Sequence, residues 1–268
     1  MNVCKQFRAS SGLKIHDKDA DNKPLTSGDK EQDKLHIEQM AERIAELQDM
    51  LYAEHARKLL VILQGMDTSG KDGTVRGVFG RIDPLGIRSV AFKAPTAVER
   101  DHDFLWRVHQ QVPGAGELVI FNRSHYEDVL ITRVHNWVDD AEATRRFDHI
   151  RDFERMLADT GTVLLKFFLH ISRDEQKQRL QARIDDPTKH WKFDPKDLDE
   201  RKYWNDYQRV YQQAIAATDA DHAPWYVIPS DSKIQRNLVI ASIVLETMED
   251  MKLAFPPPKP ELTNLKVE

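Results

Sequence analysis

Residues 65–74 read Gly-Met-Asp-Thr-Ser-Gly-Lys-Asp-Gly-Thr, a composition and spacing suited to holding an anion. Gly65, Gly70 and Gly73 let the backbone turn its N–H groups inward, Thr68, Ser69 and Thr74 add hydroxyls, and a helix beginning near Lys71 would point its positive end at the same place. Lys71 would then reach an outer phosphate. The pattern departs from G-x-x-x-x-G-K-[ST], because Asp72 stands at the hydroxyl position and Thr74 comes two residues later. Coordination of magnesium by that hydroxyl is therefore not expected, and Asp67 offers a carboxylate inside the loop instead. The plain alternative is a glycine turn at the start of a helix. A strand-like run before the motif and a helical pattern after it weigh against that alternative.

A second group of residues follows the run ELVIFN (117–122). Asn122 supplies a neutral oxygen, Arg123 a guanidinium suited to charge on a transferring phosphoryl group, and Glu127 and Asp128 two carboxylates one turn later. Asn122 with Asp128 would make a hard-cation site completed by phosphate oxygens. Helix capping by Asn122 and Asp128, with Glu127 facing solvent, is the competing account. His125 could carry phosphate covalently, but no second histidine or acid stands at a suggestive spacing, so a structural role is the better reading. Further on, Arg179 and Arg183 stand four residues apart in a highly charged stretch, 173–211, and would share a helix face. A lid closing with arginines excludes water from phosphoryl transfer. For most of that stretch's lysines a solvated, salt-bridged face is the simpler account.

These residues need elements to carry them. Helical periodicity runs from Leu35 to Leu51, and the apolar runs 58–65, 87–92, 117–122, 162–171 and 225–230 read as strands. Helices are expected over about 71–84, 97–112, 141–159 and 231–253, the last stopped by FPPPKP (255–260). Five strands alternating with helices imply an α/β doubly wound fold, with a parallel sheet whose ligands sit at the carboxyl ends of the strands. Residues 1–33 form a polar arm, lying on a surface or partly disordered. Residues 34–254 form a single domain with the lid at about 173–211, and 255–268 form a proline-rich tail.

The 268-residue chain has 39 Lys+Arg, 44 Asp+Glu and a net charge of −5. That balance disfavours a general nucleic-acid or membrane-surface binder. The single Cys4 and the lack of a long apolar run point to a cytoplasmic protein.

GMDTSGKDGT (65–74), KAPTAVERDHDFLWRVHQQVPGAGELVIFNRSHYEDVL (93–130) and SRDEQKQRLQARIDDPTKHWKFDPKDLDERKYWNDY (172–207) resemble the polyphosphate kinase 2 family over about residues 30–253. The resemblance implies a P-loop kinase-like three-layer sandwich with a helical lid. It also implies reversible, direct in-line transfer between inorganic polyphosphate and nucleotides, without a covalent intermediate. Magnesium, with manganese as the alternative ion, would be the cofactor. By the same resemblance Asp67 and Lys71 serve the loop, Asn122 and Asp128 help bind metal, and Arg123 and Arg179 contact phosphates in transfer. The pair Asn122 and Glu127 resembles the subgroup that accepts both nucleoside mono- and diphosphates, with Glu127 as an additional metal ligand. A polymeric anion needs a channel, for which Lys93, Arg100, Arg133, Arg183 and Arg209 are candidates. Acceptors would be adenine nucleotides, with guanine nucleotides as an open extension, and the assembly a homodimer or homotetramer.

Two rival readings stand beside this one. One is an ATP-dependent nucleoside monophosphate kinase of the same fold, and the other a nucleotide-binding module without turnover. Residues 71–135 hold 9 Lys+Arg against 8 Asp+Glu, and 173–211 hold 10 against 9, so the acidic excess lies elsewhere. The charge thus excludes only indiscriminate polyanion binding.

Overall fold

The computed structural model describes residues 2–10 and 12–260. Five parallel strands, β1 (Lys58–Gln64), β2 (Ile87–Ala91), β3 (Leu118–Asn122), β4 (Thr162–His170) and β5 (Trp225–Pro229), form one sheet in the order β2-β3-β1-β4-β5. β1 is central because it is apolar on both faces, pairing Leu59 with Leu118 on one side and with Val163 on the other.

Alternate residues of these strands feed two separate cores. Leu60, Ile62, Val119, Phe121, Leu164 and Phe168 pack with Phe147, Ile150 and Phe153 of the Asp140–Asp159 helix and Val210 and Tyr211 of Trp204–Thr218. Leu59, Val61, Leu63, Leu118, Ile120 and Phe167 pack on the opposite face. Their partners are Ile37, Ile44 and Leu51 of Lys30–Glu54 and Val239, Ile243 and Val244 of Lys233–Asp250. Two helical layers around one sheet make the parallel α/β sheet expected from the alternation into the three-layer sandwich that the resemblance implied.

Boundaries differ where local side-chain chemistry competes with periodicity. The first long helix starts at Lys30 rather than Leu35, because Asp29 caps the N–H groups of Glu31 and Gln32. The helix expected over 97–112 is two short pieces, Ala97–Arg100 and Trp106–His109. Between them Asp103 accepts the Leu105 N–H at 2.9 Å, a local bond that replaces a helical one. The helix after the glycine-rich loop ends at Val78, not 84, just before Gly80.

The N-terminal residues lie along β5, an edge strand. Ala9 N–H donates to the Trp225 carbonyl at 2.8 Å, Arg8 bridges Tyr226 in antiparallel sense, and Ala20 is fully buried. This cover satisfies backbone groups that an open edge would leave exposed. Of the proline-rich tail, 261–268 lie outside the described residues.

Candidate active site at the carboxyl edge of the sheet

The glycine-rich loop joins β1 to the Lys71–Val78 helix, the place its sequence implied. Gly65 has φ 153°, and a Cβ there would lie 2.6 Å from the Leu169 carbonyl oxygen. Gly70, at φ 108°, caps the helix in the left-handed region. Ser69 and Thr74 are fully buried, and their hydroxyls, with that of Thr68, have no hydrogen-bond partner among the described residues. Unpaired buried donors around a turn are costly unless a ligand uses them. Lys71 is folded back, its Nζ donating to the Gly65 and Met66 carbonyls at 2.7 and 3.2 Å. Burial, and then Arg123, pushes its ammonium down to about 8.

β3 delivers the second group. Arg123 sits at φ 62° and donates through Nη2 to Asp67 Oδ1 at 2.6 Å, while its Nη1 lies 3.4 Å from Glu127 Oε2. Glu127 and then Asp67 hold the guanidinium above its ordinary range against the opposing effect of burial. Glu127 has a further anchor, since Gln64 Nε2 donates to its Oε1 at 3.0 Å when the amide oxygen faces Ser124. Asn122 Nδ2 donates to Asp72 Oδ1 at 2.7 Å, so the residue at the missing hydroxyl position is tied to the end of β3. His125 is fully buried against Glu154, a structural placement.

Asp67, Thr68, Gly70, Lys71, Asn122 and Arg123 line one cleft of about 600 Å³ together with Gly73, Arg179 and Arg183. Other expected residues are not brought there. Asp128 is half-buried beside Arg107, whose Nη2 lies 3.6 Å from its Oδ2, and the loss of water around it raises its pKa. Arg133 is buried over the Phe147 ring and paired with Asp140 at 2.6 Å. Lys93 and Arg100 are exposed in the chain that follows β2 and do not line the cleft, Arg100 donating to the Pro95 carbonyl. Arg209 pairs with Asp206.

Arg179 lines the cleft, yet all five of its N–H groups are engaged by the protein. Nε meets Glu175, Nη1 the carbonyls of Thr68 and Ser69, and Nη2 those of Ser230 and Asp231, at 2.6–3.3 Å. It clasps the loop to the end of β5, and contact with a phosphate would require one of these bonds to exchange. Arg183 donates to the Lys192 carbonyl and lies 3.6 Å from Asp197. The lid segment is broken into Arg173–Asp185, Pro187–Lys192 and Lys196–Glu200 before the Trp204–Thr218 helix. Its middle piece puts Lys189, Trp191 and Lys192 along the rim of the cleft.

Arg76, Ala182, Trp191, Lys233 and Arg236 also line the cleft and escaped the sequence reading, and Lys189 and Lys192 line it although the charge pattern pointed to a solvated face. One signal was present for Arg236. It precedes Val239, Ile240 and Ile243 at helical spacing, a lone cation in a buried stripe.

As for a cation, Asp67 and the Asn122 oxygen are hard donors lining the cleft, a chemistry that suits magnesium, while Glu127 does not line it and stands behind Arg123, 3.4 Å from its Nη1. Among the described residues no three acids or histidines are grouped to hold a metal by themselves. The residues fit an ion shared with phosphate oxygens and water, without Asp128.

A parallel α/β sandwich with a glycine-rich loop at its carboxyl edge, sharing one cleft with arginines and lysines of residues 179–192, is the architecture of a phosphoryl-transfer enzyme with a P-loop kinase-like fold. The comparisons narrow that class. The family model for polyphosphate kinase 2 matches residues 27–256. An AMP/ADP-polyphosphate phosphotransferase of Meiothermus ruber is 53% identical over 226 residues, 84% of this chain and 85% of the relative. An ADP-polyphosphate phosphotransferase of Rhodopseudomonas palustris is 40% identical over 272 residues, 96% and 93% of the two chains. The crystal structure of polyphosphate kinase 2 from Arthrobacter aurescens TC1 superposes with a TM-score of 0.93 at 43% identity, covering 100% of this chain and 94% of that one. The chain belongs to the polyphosphate kinase 2 family and is a kinase.

Proposed function

We propose that this enzyme transfers the terminal phosphate of inorganic polyphosphate to AMP and ADP, reversibly, with adenine nucleotides as the primary acceptors. The reading is carried by the convergence, in one cleft, of the glycine-rich loop, the Arg123 edge and the lid cations, in a chain 53% identical to an AMP/ADP-polyphosphate phosphotransferase. An oxygen of the acceptor's terminal phosphate attacks the terminal phosphorus of polyphosphate, and the bond to the bridging oxygen breaks, leaving a chain one phosphate shorter. That oxygen is already ionised at neutral pH, so positioning and charge stabilisation suffice without a nucleophilic side chain.

The loop N–H groups and the Ser69 and Thr74 hydroxyls bind the phosphate to be moved. Lys71 leaves its two carbonyls to meet that phosphate, and Arg123, held between Asp67 and Glu127, faces the charge that develops in transfer. Magnesium, or manganese, held by Asp67 and Asn122 would neutralise phosphate charge when bound. Glu127 behind Arg123 supports acceptance of the shorter acceptor AMP. The lid closes over the cleft and excludes water. Arg183, Lys189 and Lys192 would guide the polymeric donor. No helix among the described residues is long and apolar enough to cross a membrane, and with Cys4 as the lone cysteine we place the enzyme in the cytoplasm. The outer face of the Lys30–Glu54 helix, with Leu35 and Tyr52 exposed, is the candidate contact of a homodimer or homotetramer.

The test is turnover by Lys71→Ala and Asp67→Ala with polyphosphate, magnesium and AMP or ADP. Both variants are expected to lose transfer while keeping the wild-type circular dichroism spectrum, and wild-type turnover in either would overturn the assignment. GDP in the same assay decides whether guanine nucleotides are accepted.

A further inference from the structure

The Lys233–Asp250 helix contributes Arg236, a guanidinium 2% exposed and, among the described residues, without a carboxylate partner. Its Nε and Nη2 donate to Asn237 Oδ1 at 3.1 and 3.0 Å, and Nη1 reaches only the Ser69 carbonyl, at 3.5 Å. At most three of its five N–H groups are used, and the nearest other charge of consequence is a second cation, Arg179. Burial and then Arg179 push Arg236 down to about 10, so it remains a cation at neutral pH. An unpaired buried charge is strongly unfavourable in a finished protein interior, which makes its position informative.

That position is against the anion-binding loop. A Cβ on Gly70 would lie 1.8 Å from Arg236 Nη1, and one on Gly73 would lie 3.0 Å from Nη2. The two glycines are therefore needed for close approach of this guanidinium as well as for backbone turning. Lys71 points the other way, to the Gly65 and Met66 carbonyls, and Arg179 is fully engaged. Arg236 is thus the buried cation at the loop with N–H groups to spare, and Lys233, three residues earlier on the same helix, lines the cleft beside it.

We infer that Arg236 is a binding residue for the phosphate chain of the donor. It receives the phosphate seated in the glycine-rich loop from the side opposite Arg123, with Lys233 meeting the chain further out. The inference rests on the reading of the cleft as the polyphosphate site, and it adds a residue that neither the loop motif nor the lid contains. The donor is assigned rather than the acceptor because Arg236 and Lys233 line the cleft together with Arg183, Lys189 and Lys192, a set of cations suited to a polymeric anion.

The experiment compares wild type, Arg236→Met and Arg236→Lys in steady-state kinetics and in thermal melts with and without tripolyphosphate, nucleotide absent. Methionine is expected to raise KM for polyphosphate at least about tenfold while leaving KM for ADP within twofold. Its ligand-free Tm should equal or exceed that of wild type, because a buried unpaired charge is removed, and tripolyphosphate should no longer raise it. Lysine should recover part of both effects. A methionine variant that melts well below wild type or fails to fold, while lysine melts like wild type but binds tripolyphosphate no better, would assign Arg236 to the fold and overturn the inference. So would equal rises in both KM values, or an unchanged KM for polyphosphate. If wild type itself neither uses polyphosphate nor is stabilised by tripolyphosphate, the reading of the cleft fails, which is a separate outcome from the failure of Arg236.

Discussion

Lys71 should make the reaction sensitive to pH just above neutrality. Its Nζ is enclosed by the loop, hydrogen-bonded only to two carbonyls, and lowered from 10.5 to about 8. A displacement of that size corresponds to roughly 3 kcal/mol against the charged form in the ligand-free enzyme. The terminal phosphates of both substrates have their last ionisation near pH 6, so they are fully charged by pH 8 and add no descending limb there. The pH profile of kcat/KM for polyphosphate reports groups of the free enzyme. It should therefore bend near pH 8 and fall about 30-fold between its plateau and pH 9.5. Lys71→Arg keeps the charge, so its profile should lose the limb, from a lower plateau set by the different reach of the guanidinium.

Stability gives the same titration with the opposite consequence. Because the folded value lies below the ordinary one, the cost of the charged lysine is present below pH 8 and fades between 8 and 10.5. Lys71→Met should accordingly melt higher than wild type at pH 7, ligand absent, with the gain shrinking toward pH 10. A wild-type kcat/KM flat to pH 9.5, or a limb that persists in Lys71→Arg, would refute the reasoning.

Three further outcomes follow from the packing. Lys166 and Glu154 form a fully buried pair at 2.6 Å beneath the turn that carries Arg123 and Glu127. Lys166 also donates to the Tyr126 hydroxyl and the Thr218 carbonyl. Lys166 and His125 hold the Glu154 carboxyl below its ordinary value despite burial, so Glu154→Gln strands a charge. It should cost about 3–5 kcal/mol, a Tm loss of about 10 °C or more by calorimetry, and the double change to Leu and Met should recover most of it. Glu127→Asn should lower kcat/KM for AMP at least tenfold more than for ADP, and an unchanged preference would remove the acceptor role of Glu127. Burial, and then the charge of Asp67, push the Asp197 carboxyl in the lid up to about 6. Its ionised form is therefore unfavourable above pH 6, so Asp197→Asn should raise Tm at pH 7 by the equivalent of about 1 kcal/mol, a gain that vanishes by pH 4.

The sheet was legible because its strands are short apolar runs buried on both faces and its helices carry apolar stripes. Helix ends were less so, since Asp29 and Asp103 act through individual hydrogen bonds that periodicity does not register. Within the site, the loop and the Asn122–Glu127 turn could be placed because each follows a strand directly. Arg133 could not, because Asp140 and Phe147 claim it only in three dimensions. Asp128 and Arg179 likewise have the residue type for phosphate chemistry, but Arg107 and four backbone carbonyls occupy them. Arg236 and Lys166 share one signal, a single cation inside an otherwise buried segment. Such a residue must find a partner or a ligand, and only the fold shows that Lys166 meets Glu154 while Arg236 meets the loop.

The central claim is that polyphosphate, not a nucleoside triphosphate, supplies the phosphate. The most direct measurement is product formation from AMP and ADP, separately, with magnesium and polyphosphate in ATP-free solution, followed by chromatography against a reaction with ATP as sole donor to AMP. The account predicts ADP and then ATP from AMP, ATP from ADP, and polyphosphate shortened by one unit per transfer. Efficient transfer from ATP to AMP with none from polyphosphate would contradict it.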